Sequence, residues 1–401
     1  MQRKTKFAFN DSAAAQSSEH TEGLTFLIRT DARYATGGFR KQLLQSVQQD
    51  ALNATFGPQA NGIREEDTLA GAVKKSVHDA YEEWGVSVLN SISRHVNYDL
   101  YDIDESVRSL NVHFHDAHAL AEKIANNADD FLKTQPGYNP EVPAVYVSLD
   151  EMFHECRAPW AEIAFSRLFS TKGDQQFGYT ARPGKMPIEE QVTSFAQSLK
   201  DLQQRYGQKL PIVLLEDNVR HAKMLNWVID LMDKHGVFES GELACISTCF
   251  CSASQEERAA IVHQGRSIPL VPVIEISSKS FEVSTPRDLF FDGYVVEVNG
   301  EQTRLPGLFM DVEKLFKVSP DKVEAFKAEI KDASVRFCER IEKEWNINVP
   351  VAWFTGAKAI ASVTGQPLEA RMSEVLEKWH SAPAPAMPQA ANESKMLHVV
   401  S

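Results

Sequence analysis

The pattern of apolar and polar positions changes about a third of the way along the chain. Residues 23–138 mostly repeat apolar side chains at helical spacing, whereas over residues 139–300 short apolar runs alternate with amphipathic segments. Such alternation is typical of a doubly wound α/β domain, in which helices cover a parallel sheet on both faces. The pattern therefore predicts a mostly helical N-terminal region followed by an α/β domain.

The predicted elements have definite bounds. Before residue 139, strands are predicted at 24–29 and 106–115, and helices at 39–52, 68–81, 86–95 and 117–132. After it, strands are predicted at 142–149, 162–169, 210–215, 243–250 and 268–276, with helices starting at Pro187, ending at Gly236 and covering 255–263. The run at 210–215 is apolar without interruption, which favours a strand covered on both faces.

The C-terminal part adds a hairpin and a long helix. Asn299-Gly300 is a strong turn dipeptide between predicted strands at 293–298 and 303–308. Ser319, Pro320 and Asp321 give the order of cap, proline and acid that starts a helix. The apolar stripe of this helix, expected in a core or an oligomer interface, is Val323, Phe326, Ile330, Phe337, Ile341 and Trp345.

These elements divide the chain into segments. The polar segment 1–22 and the Pro/Ala-rich segment 381–401 are expected to be disordered. Between them we predict a mostly helical region (23–138), an α/β domain (139–300) and a hairpin plus helical region (301–380). The predicted fold class is α/β, with a central, mostly parallel sheet and helical N- and C-terminal extensions.

Charge and cysteine content restrict the partners. The 42 Lys and Arg residues against 55 Asp and Glu give a net charge of −13, which disfavours duplex nucleic acid and anionic membranes. No window approaches 18 apolar residues, and no signal-peptide core follows the basic start. The 5 cysteines, an odd number in a long chain, favour a reducing compartment and small apolar roles rather than disulfides. We therefore expect a cytoplasmic protein.

The strand at 210–215 ends in adjacent acids, Glu216 and Asp217, and a helix begins a few residues later. Function concentrates at the carboxyl ends of strands in open α/β sheets. A carboxylate pair there can hold ribose hydroxyls or a divalent cation, and a helix N-terminus can hold a phosphate.

The segment LPIVLLEDNVRHAKMLNWVIDLMDKHG, followed by ELACISTCF and IPLVPVIEI, resembles the core of type I phosphoribosyltransferases over residues 140–280. The resemblance implies a sheet of phosphoribosyltransferase type and a ligand that is a phosphorylated ribose or a nucleotide. It implies that Glu216 and Asp217 hold the ribose and are catalytic, that Asp217 faces Mg²⁺, and that residues 218–224 surround the 5′-phosphate.

The loop departs from the family pattern of Thr, Ser and Gly. It carries Asn218, Arg220, His221 and Lys223 instead, and these are the substrate-binding candidates. Either their side chains replace a backbone cradle, or the loop no longer binds phosphoribosyl groups.

Further candidates lie upstream of the acidic pair. Arg182 and Lys185 lie on a polar stretch at 170–186 that is predicted to be a loop, and they could clamp a pyrophosphate. Asp150 follows the predicted strand at 142–149, at the edge where ligands collect. The four cations Arg182, Lys185, Arg220 and Lys223 are predicted to converge as a local positive pocket.

A separate candidate is a metal site in the segment NVHFHDAH. His113, His115, Asp116 and His118 have donor types that suit a metal ion, and the segment partly resembles the H-x-H-x-D-H of metallo-β-lactamases. The acid lies one position earlier than in that family, so satisfied histidines at a strand end are the alternative.

Three functional hypotheses follow. The first is a transferase that moves a phosphoribosyl or related glycosyl group between a pyrophosphate-activated ribose and a base-like acceptor, with Mg²⁺. The second is a catalytically silent nucleotide-binding or scaffold protein with a degenerate phosphate loop, which forms homo-oligomers through its apolar helices. The third is a metal-dependent hydrolase built on His113, His115, Asp116 and His118.

Overall fold

The computed structural model describes residues 5–9, 24–30, 32–52, 69–97, 110–150, 153, 157–173, 175–276, 281–284, 286–310 and 317–379. The strands are β1 (Thr5–Phe9), β2 (Leu24–Thr30), β3 (Leu110–Asp116), β4 (Val145–Ser148), β5 (Trp160–Glu162), β6 (Phe165–Phe169), β7 (Gln176–Ala181), β8 (Leu210–Val219), β9 (Gly241–Cys251), β10 (Val262–His263), β11 (Arg266–Ser267), β12 (Leu270–Glu275), β13 (Phe281–Ser284), β14 (Tyr294–Val298) and β15 (Glu301–Leu305). The α-helices are α1 (Ala32–Leu52), α2 (Leu69–His95), α3 (Ala117–Lys133), α4 (Ile188–Tyr206), α5 (Ala222–Lys234), α6 (Val237–Ser240), α7 (Gln255–Ala259), α8 (Arg287–Phe290), α9 (Val323–Trp345), α10 (Ala357–Thr364) and α11 (Met372–Trp379). Short 3₁₀ turns cover Gly307–Phe309, Pro320–Lys322 and Val351–Trp353.

The centre of the fold is a five-stranded sheet in the order β12-β9-β8-β4-β5. Every pair of neighbouring strands in it is parallel. Helix α3 packs on one face, and α4, α5 and α6 pack on the other. The α/β class and the parallel central sheet are therefore confirmed.

Burial on both faces explains the uninterrupted apolar run in β8. Ile212 and Leu214 belong to the core under α4 and α5, whereas Val213 and Leu215 belong to the core under α3. Alternate residues of a strand point to opposite faces, so a strand covered twice needs apolar residues at every position.

A second parallel sheet, in the order β1-β3-β2-β13, lies in the N-terminal region. Its strand β13 comes from residues 281–284, so the N-terminal sheet is completed by a segment that follows the central sheet in the chain. Segment 1–22 was expected to be disordered, yet Thr5–Phe9 form β1. The segment 381–401 lies outside the described residues.

The third sheet, in the order β15-β14-β6-β7, is mixed. It contains the predicted hairpin, with Asn299 and Gly300 at φ values of 53° and 80° in the turn. It also corrects one prediction, because the stretch at 170–186 is not a continuous loop: Gln176–Ala181 form β7. The predicted strand at 162–169 is two strands, since β5 belongs to the central sheet and β6 to the mixed one.

The helical extensions share one core. Helix α2 runs continuously through Gly85, where the sequence predicted two helices. Trp84 and Val88 on either side of the glycine are buried against the C-terminal elements, and this packing outweighs the cost of about 1 kcal/mol for a mid-helix glycine. The stripe of α9 lies in the same core, with Phe326, Ile330, Phe337 and Ile341 fully or almost fully buried.

Four of the five cysteines, Cys245, Cys249, Cys251 and Cys338, are buried free thiols, as predicted. Cys156 lies outside the described residues.

Candidate functional site

The strand order places the acidic residues at the topological switch point of the central sheet. Numbered along the chain, its strands run 2-1-3-4-5 across the sheet, so the winding reverses between β4 and β8. Ligands of open α/β sheets bind outside the carboxyl ends of the strands at this point. Asp150 follows β4, Glu216 and Asp217 lie near the carboxyl end of β8, and a hydrogen bond of 3.0 Å from the Leu149 N–H to the Leu215 carbonyl joins the two strands.

Glu216 is the most perturbed carboxyl group of this edge. Its side chain is only 8 % exposed, and burial raises its pKa well above the usual range. The charge of Asp217, a hydrogen bond to the Asp217 side chain and the charge of Asp150 raise this pKa further. The nearby Arg182 guanidinium lowers it, but the other effects prevail. The predicted acidic pair thus contains a buried carboxyl group with a raised pKa, hydrogen-bonded to the side chain of its neighbour.

The acidic pair lies within β8 rather than after it. The ladder with β9 continues through Glu216↔Thr248 and Asn218↔Phe250 to Val219↔Cys251. Only Arg220 and His221 lie between the end of β8 and the start of α5. The predicted seven-residue phosphate loop at 218–224 is therefore a two-residue connection, since the remaining positions belong to the strand and the helix.

Asn218 is set apart by an unsatisfied polar atom. Its Oδ1 is buried and has no hydrogen-bond partner among the described residues. As an acceptor it suits a hydroxyl group or a cation, but it cannot bond a phosphate oxygen. Its chemistry therefore favours the ribose side of the predicted ligand over the phosphate side.

The cations Arg182 and Lys185 are both used within the protein. Arg182 is 7 % exposed and donates to Glu162 Oε1 at 3.1 Å and to the Leu149 carbonyl at 2.6 Å. Lys185 donates to Glu162 Oε2 at 2.8 Å. The hydrogen bond to the Leu149 carbonyl fixes the carboxyl end of β4, so Arg182 has a positioning role at this edge rather than a free guanidinium for a ligand.

The N-terminus of α5, where the resemblance implies a phosphate, holds an internal carboxylate. The Ala222 N–H donates to Glu257 Oε2 at 2.8 Å, and His221 Nδ1 lies 3.4 Å from Glu257 Oε1. The hydrogen bond from Ala222 is the main reason why the pKa of Glu257 is lowered. Arg220 and Lys223 are exposed beside this contact.

Two residues of this edge were not predicted from the sequence. Tyr179 on β7 stacks on Trp227 of α5, with ring centroids 4.4 Å apart. The pKa of Tyr179 is raised, mainly by burial and to a smaller extent by Glu216, although the charge of Arg167 lowers it. Arg287 at the start of α8 lies near Asp150. Both come from strands or helices distant in the chain, so no local motif pointed to them.

The metal hypothesis on NVHFHDAH is neither supported nor excluded. His113, His115 and Asp116 lie on β3 and His118 in the first turn of α3, but their side chains are outside the described part of the structure. In the side chains that are described, no group of three or more His, Cys, Asp and Glu could hold a metal ion. Magnesium would fit the switch point if one or two carboxylates, with the buried Asn218 Oδ1, held it together with phosphate oxygens of a ligand.

Comparison with known proteins assigns no family, since no protein-family model matches the chain and no curated protein matches it. Among the described helices, none is long and apolar enough to cross a membrane.

Proposed function

We propose that the protein is a glycosyltransferase of the phosphoribosyl class, which binds a pyrophosphate-activated ribose at the switch point between β4 and β8. The observation that carries the proposal is the convergence of Asp150, Glu216 and Asp217 at that edge, with Glu216 buried and its pKa raised beside a second carboxyl group. Neighbouring carboxyl groups whose environments push their pKa values apart are the arrangement that glycosyl chemistry uses.

Glu216, Asp217 and Asn218 each have a part in this chemistry. When the bond between C1′ and the pyrophosphate oxygen breaks, its electron pair leaves with pyrophosphate and positive charge develops on the ribose ring. Asp217, held by the hydrogen bond from Glu216, stabilises that charge electrostatically. Asn218 Oδ1 accepts a hydrogen bond from a ribose hydroxyl, which satisfies its unpaired acceptor.

A catalytically silent nucleotide-binding protein is the second candidate, and one contact favours it. Glu257 occupies the helix N-terminus that a phosphate would need. An internal carboxylate there repels an incoming phosphate, so the site would bind the ribosyl part of a nucleotide without supporting transfer.

Release of pyrophosphate from phosphoribosyl pyrophosphate, with Mg²⁺ and a panel of nucleobases, separates the two candidates. We expect turnover by the natural chain and a loss of at least about a hundredfold in Asp217→Asn, a size known for removing one group that stabilises a transition state. Asp201→Asn is the matched control, because Asp201 is an exposed carboxylate on α4 that accepts a hydrogen bond of 3.0 Å from Gln197 of the same helix. Binding that needs Asp217 without pyrophosphate release, in both the natural chain and Glu257→Gln, would establish the silent candidate, and no binding at all would refute both.

A further inference from the structure

Arg287 lies where three parts of the chain meet. It begins α8, and its charge interacts with Asp292 and Asp288 on the same segment, with Asp150 after β4 and with Tyr81 on α2. Burial lowers the pKa of Arg287, but these neighbours raise it overall, so the guanidinium is firmly charged. The residue therefore brings a fixed positive charge to the switch-point edge of the sheet.

The hydrogen-bonding capacity of Arg287 is largely unused. Nε lies 3.6 Å from Asp288 Oδ1 and Nη2 lies 3.5 Å from Asp292 Oδ2, distances longer than ordinary N–H···O bonds. Nε is buried and lacks a hydrogen-bond partner within the described ranges. Asp292 itself receives a 2.6 Å bond from Arg304. Two carboxylates thus hold Arg287 by charge while leaving a donor unsatisfied, and an unsatisfied buried donor calls for a ligand or solvent.

Three other groups that could bind an anion near this edge are engaged within the protein. Arg182 and Lys185 donate to Glu162, and Glu257 accepts the first N–H of α5. An arginine fork is also the group that best matches phosphate oxygens.

The charges around Arg287 determine whether an anion binds there free or as a magnesium complex. Even without Glu216, whose pKa is raised, the carboxyl groups around Arg287 and the acidic pair outnumber the guanidinium groups; they are Asp150, Asp217, Asp288 and Asp292 against Arg182, Arg287 and Arg304. A free anion is repelled by such surroundings, whereas a magnesium complex brings a cation that oxygen ligands attract.

We infer that Arg287 binds the diphosphate of the ligand, as its magnesium complex, through the guanidinium N–H groups that the protein leaves unsatisfied. The inference rests on the proposed function for the ribosyl part of the ligand, but it concerns a different group and a different residue. It places the anion on the α8 side of the switch point rather than at the N-terminus of α5.

Isothermal titration with two probes tests the inference: magnesium pyrophosphate, and phosphoribosyl pyrophosphate with Mg²⁺. Arg287→Gln is expected to weaken the binding of both by about tenfold to a hundredfold, the range for a hydrogen bond to a charged group. Arg287→Lys keeps the charge but loses the fork, so its affinities should fall between those of the natural chain and Arg287→Gln. Arg266→Gln is the control, because the Arg266 side chain is 79 % exposed and contacts Glu242 at the surface.

The outcomes separate the inference from the proposed function. If Arg287→Gln weakens both probes while Asp217→Asn affects neither, Arg287 binds the diphosphate but the ribosyl proposal fails. If Asp217→Asn weakens phosphoribosyl pyrophosphate and both Arg287 variants bind magnesium pyrophosphate normally, the inference is wrong and the ribosyl proposal stands. Absence of pyrophosphate binding by the natural chain also overturns the inference. Far-UV circular dichroism checks that each variant is folded. If Arg287→Gln does not fold, the affinity of Arg287→Lys for magnesium pyrophosphate tests the inference in its place.

Discussion

Glu216→Gln should stabilise the protein at neutral pH, although the residue lies at the centre of the candidate site. The substitution keeps the size and hydrogen-bonding ability of the side chain and removes its ionisation. In the folded protein burial, and then Asp217 and Asp150, raise the pKa of Glu216 well above its ordinary value of 4.5. Folding at pH 7 therefore requires this carboxylate to take up a proton or to stay charged while buried.

The size of the effect follows from linkage. A group whose pKa is raised on folding contributes stability that is complete below the unfolded pKa and is lost as pH rises towards the folded pKa. Each pH unit costs about 1.4 kcal/mol, so between pH 4.5 and pH 7 the cost reaches at most about 3.5 kcal/mol. Because a buried glutamine amide also needs a partner for its extra donor, we expect a net gain of about 1–2 kcal/mol at pH 7.

Urea denaturation at pH 4.5, 6, 7 and 8 measures the free energy of unfolding as a function of pH. The difference between Glu216→Gln and the natural chain should be smallest at pH 4.5 and grow with pH. Asp201→Asn, on the exposed face of α4, should show no such dependence. If Glu216→Gln is less stable than the natural chain at pH 8, Glu216 is a charged partner of Arg182 instead of a protonated acid, and the assignment of roles in the acidic pair is wrong.

Three further predictions concern the scaffold. Gly356→Ala should lower the free energy of unfolding by about 3 kcal/mol or more, because φ is +76° and a Cβ would lie 1.9 Å from a backbone oxygen of β15. Gly365→Ala should lower it by about 1 kcal/mol in the same urea titration, because φ is +67° but a Cβ would meet nothing within 4 Å. Arg182→Met should lower the free energy of unfolding by about 3–5 kcal/mol, because it removes one partner of Glu162, whose side chain is 12 % exposed. Lys185→Met should lower it by at most about 1 kcal/mol, because the Lys185 side chain is 45 % exposed. Equal losses would contradict this ranking. Burial alone would raise the pKa of Glu329, but hydrogen bonds from neighbouring side chains lower it overall. The ionised Glu329 should therefore stabilise the fold above pH 4.5, and this contribution should be lost as the pH falls below that value. Thermal unfolding of Glu329→Gln should match the natural chain at pH 3.5 and show lower stability at pH 7.

The sequence predicted the central sheet well because its signals are local. The uninterrupted apolar run of β8, the stripe of α4 and the Asn299-Gly300 turn each depend on residues close together in the chain. The errors arose where distant contacts decide the structure. β7 has no continuous apolar run, and it is a strand because β6 pairs with it. Helix α2 continues through Gly85 because its neighbours pack against α9 and the segment around α8.

The candidate site divides in the same way. Asp150, Glu216 and Asp217 could be predicted because acids that follow or end parallel strands meet at one edge of the sheet. Their arrangement around the winding reversal could not, since it depends on which strands are neighbours. Arg287 lies over seventy residues beyond the acidic pair, in a short helix without any motif, and nothing local marks it.

The contact of Glu257 with α5 changes what the resemblance to phosphoribosyltransferases implies. Glycine-rich loops leave a helix N-terminus bare so that phosphate can reach its N–H groups, whereas the connection between β8 and α5 is Arg220 and His221, without a glycine. Its two-residue connection instead leaves the first N–H of α5 to the Glu257 carboxylate of α7, a helix that Ser254 caps by accepting the backbone N–H of Glu257. A ligand phosphate at α5 would have to displace this carboxylate and lose its bond to Ala222, whereas a diphosphate at Arg287 would satisfy a donor that is already unpaired. The second position requires no internal hydrogen bond of Arg287 to break, and this difference in cost is why we assign the anion to the α8 side while leaving the ribose on the acidic pair.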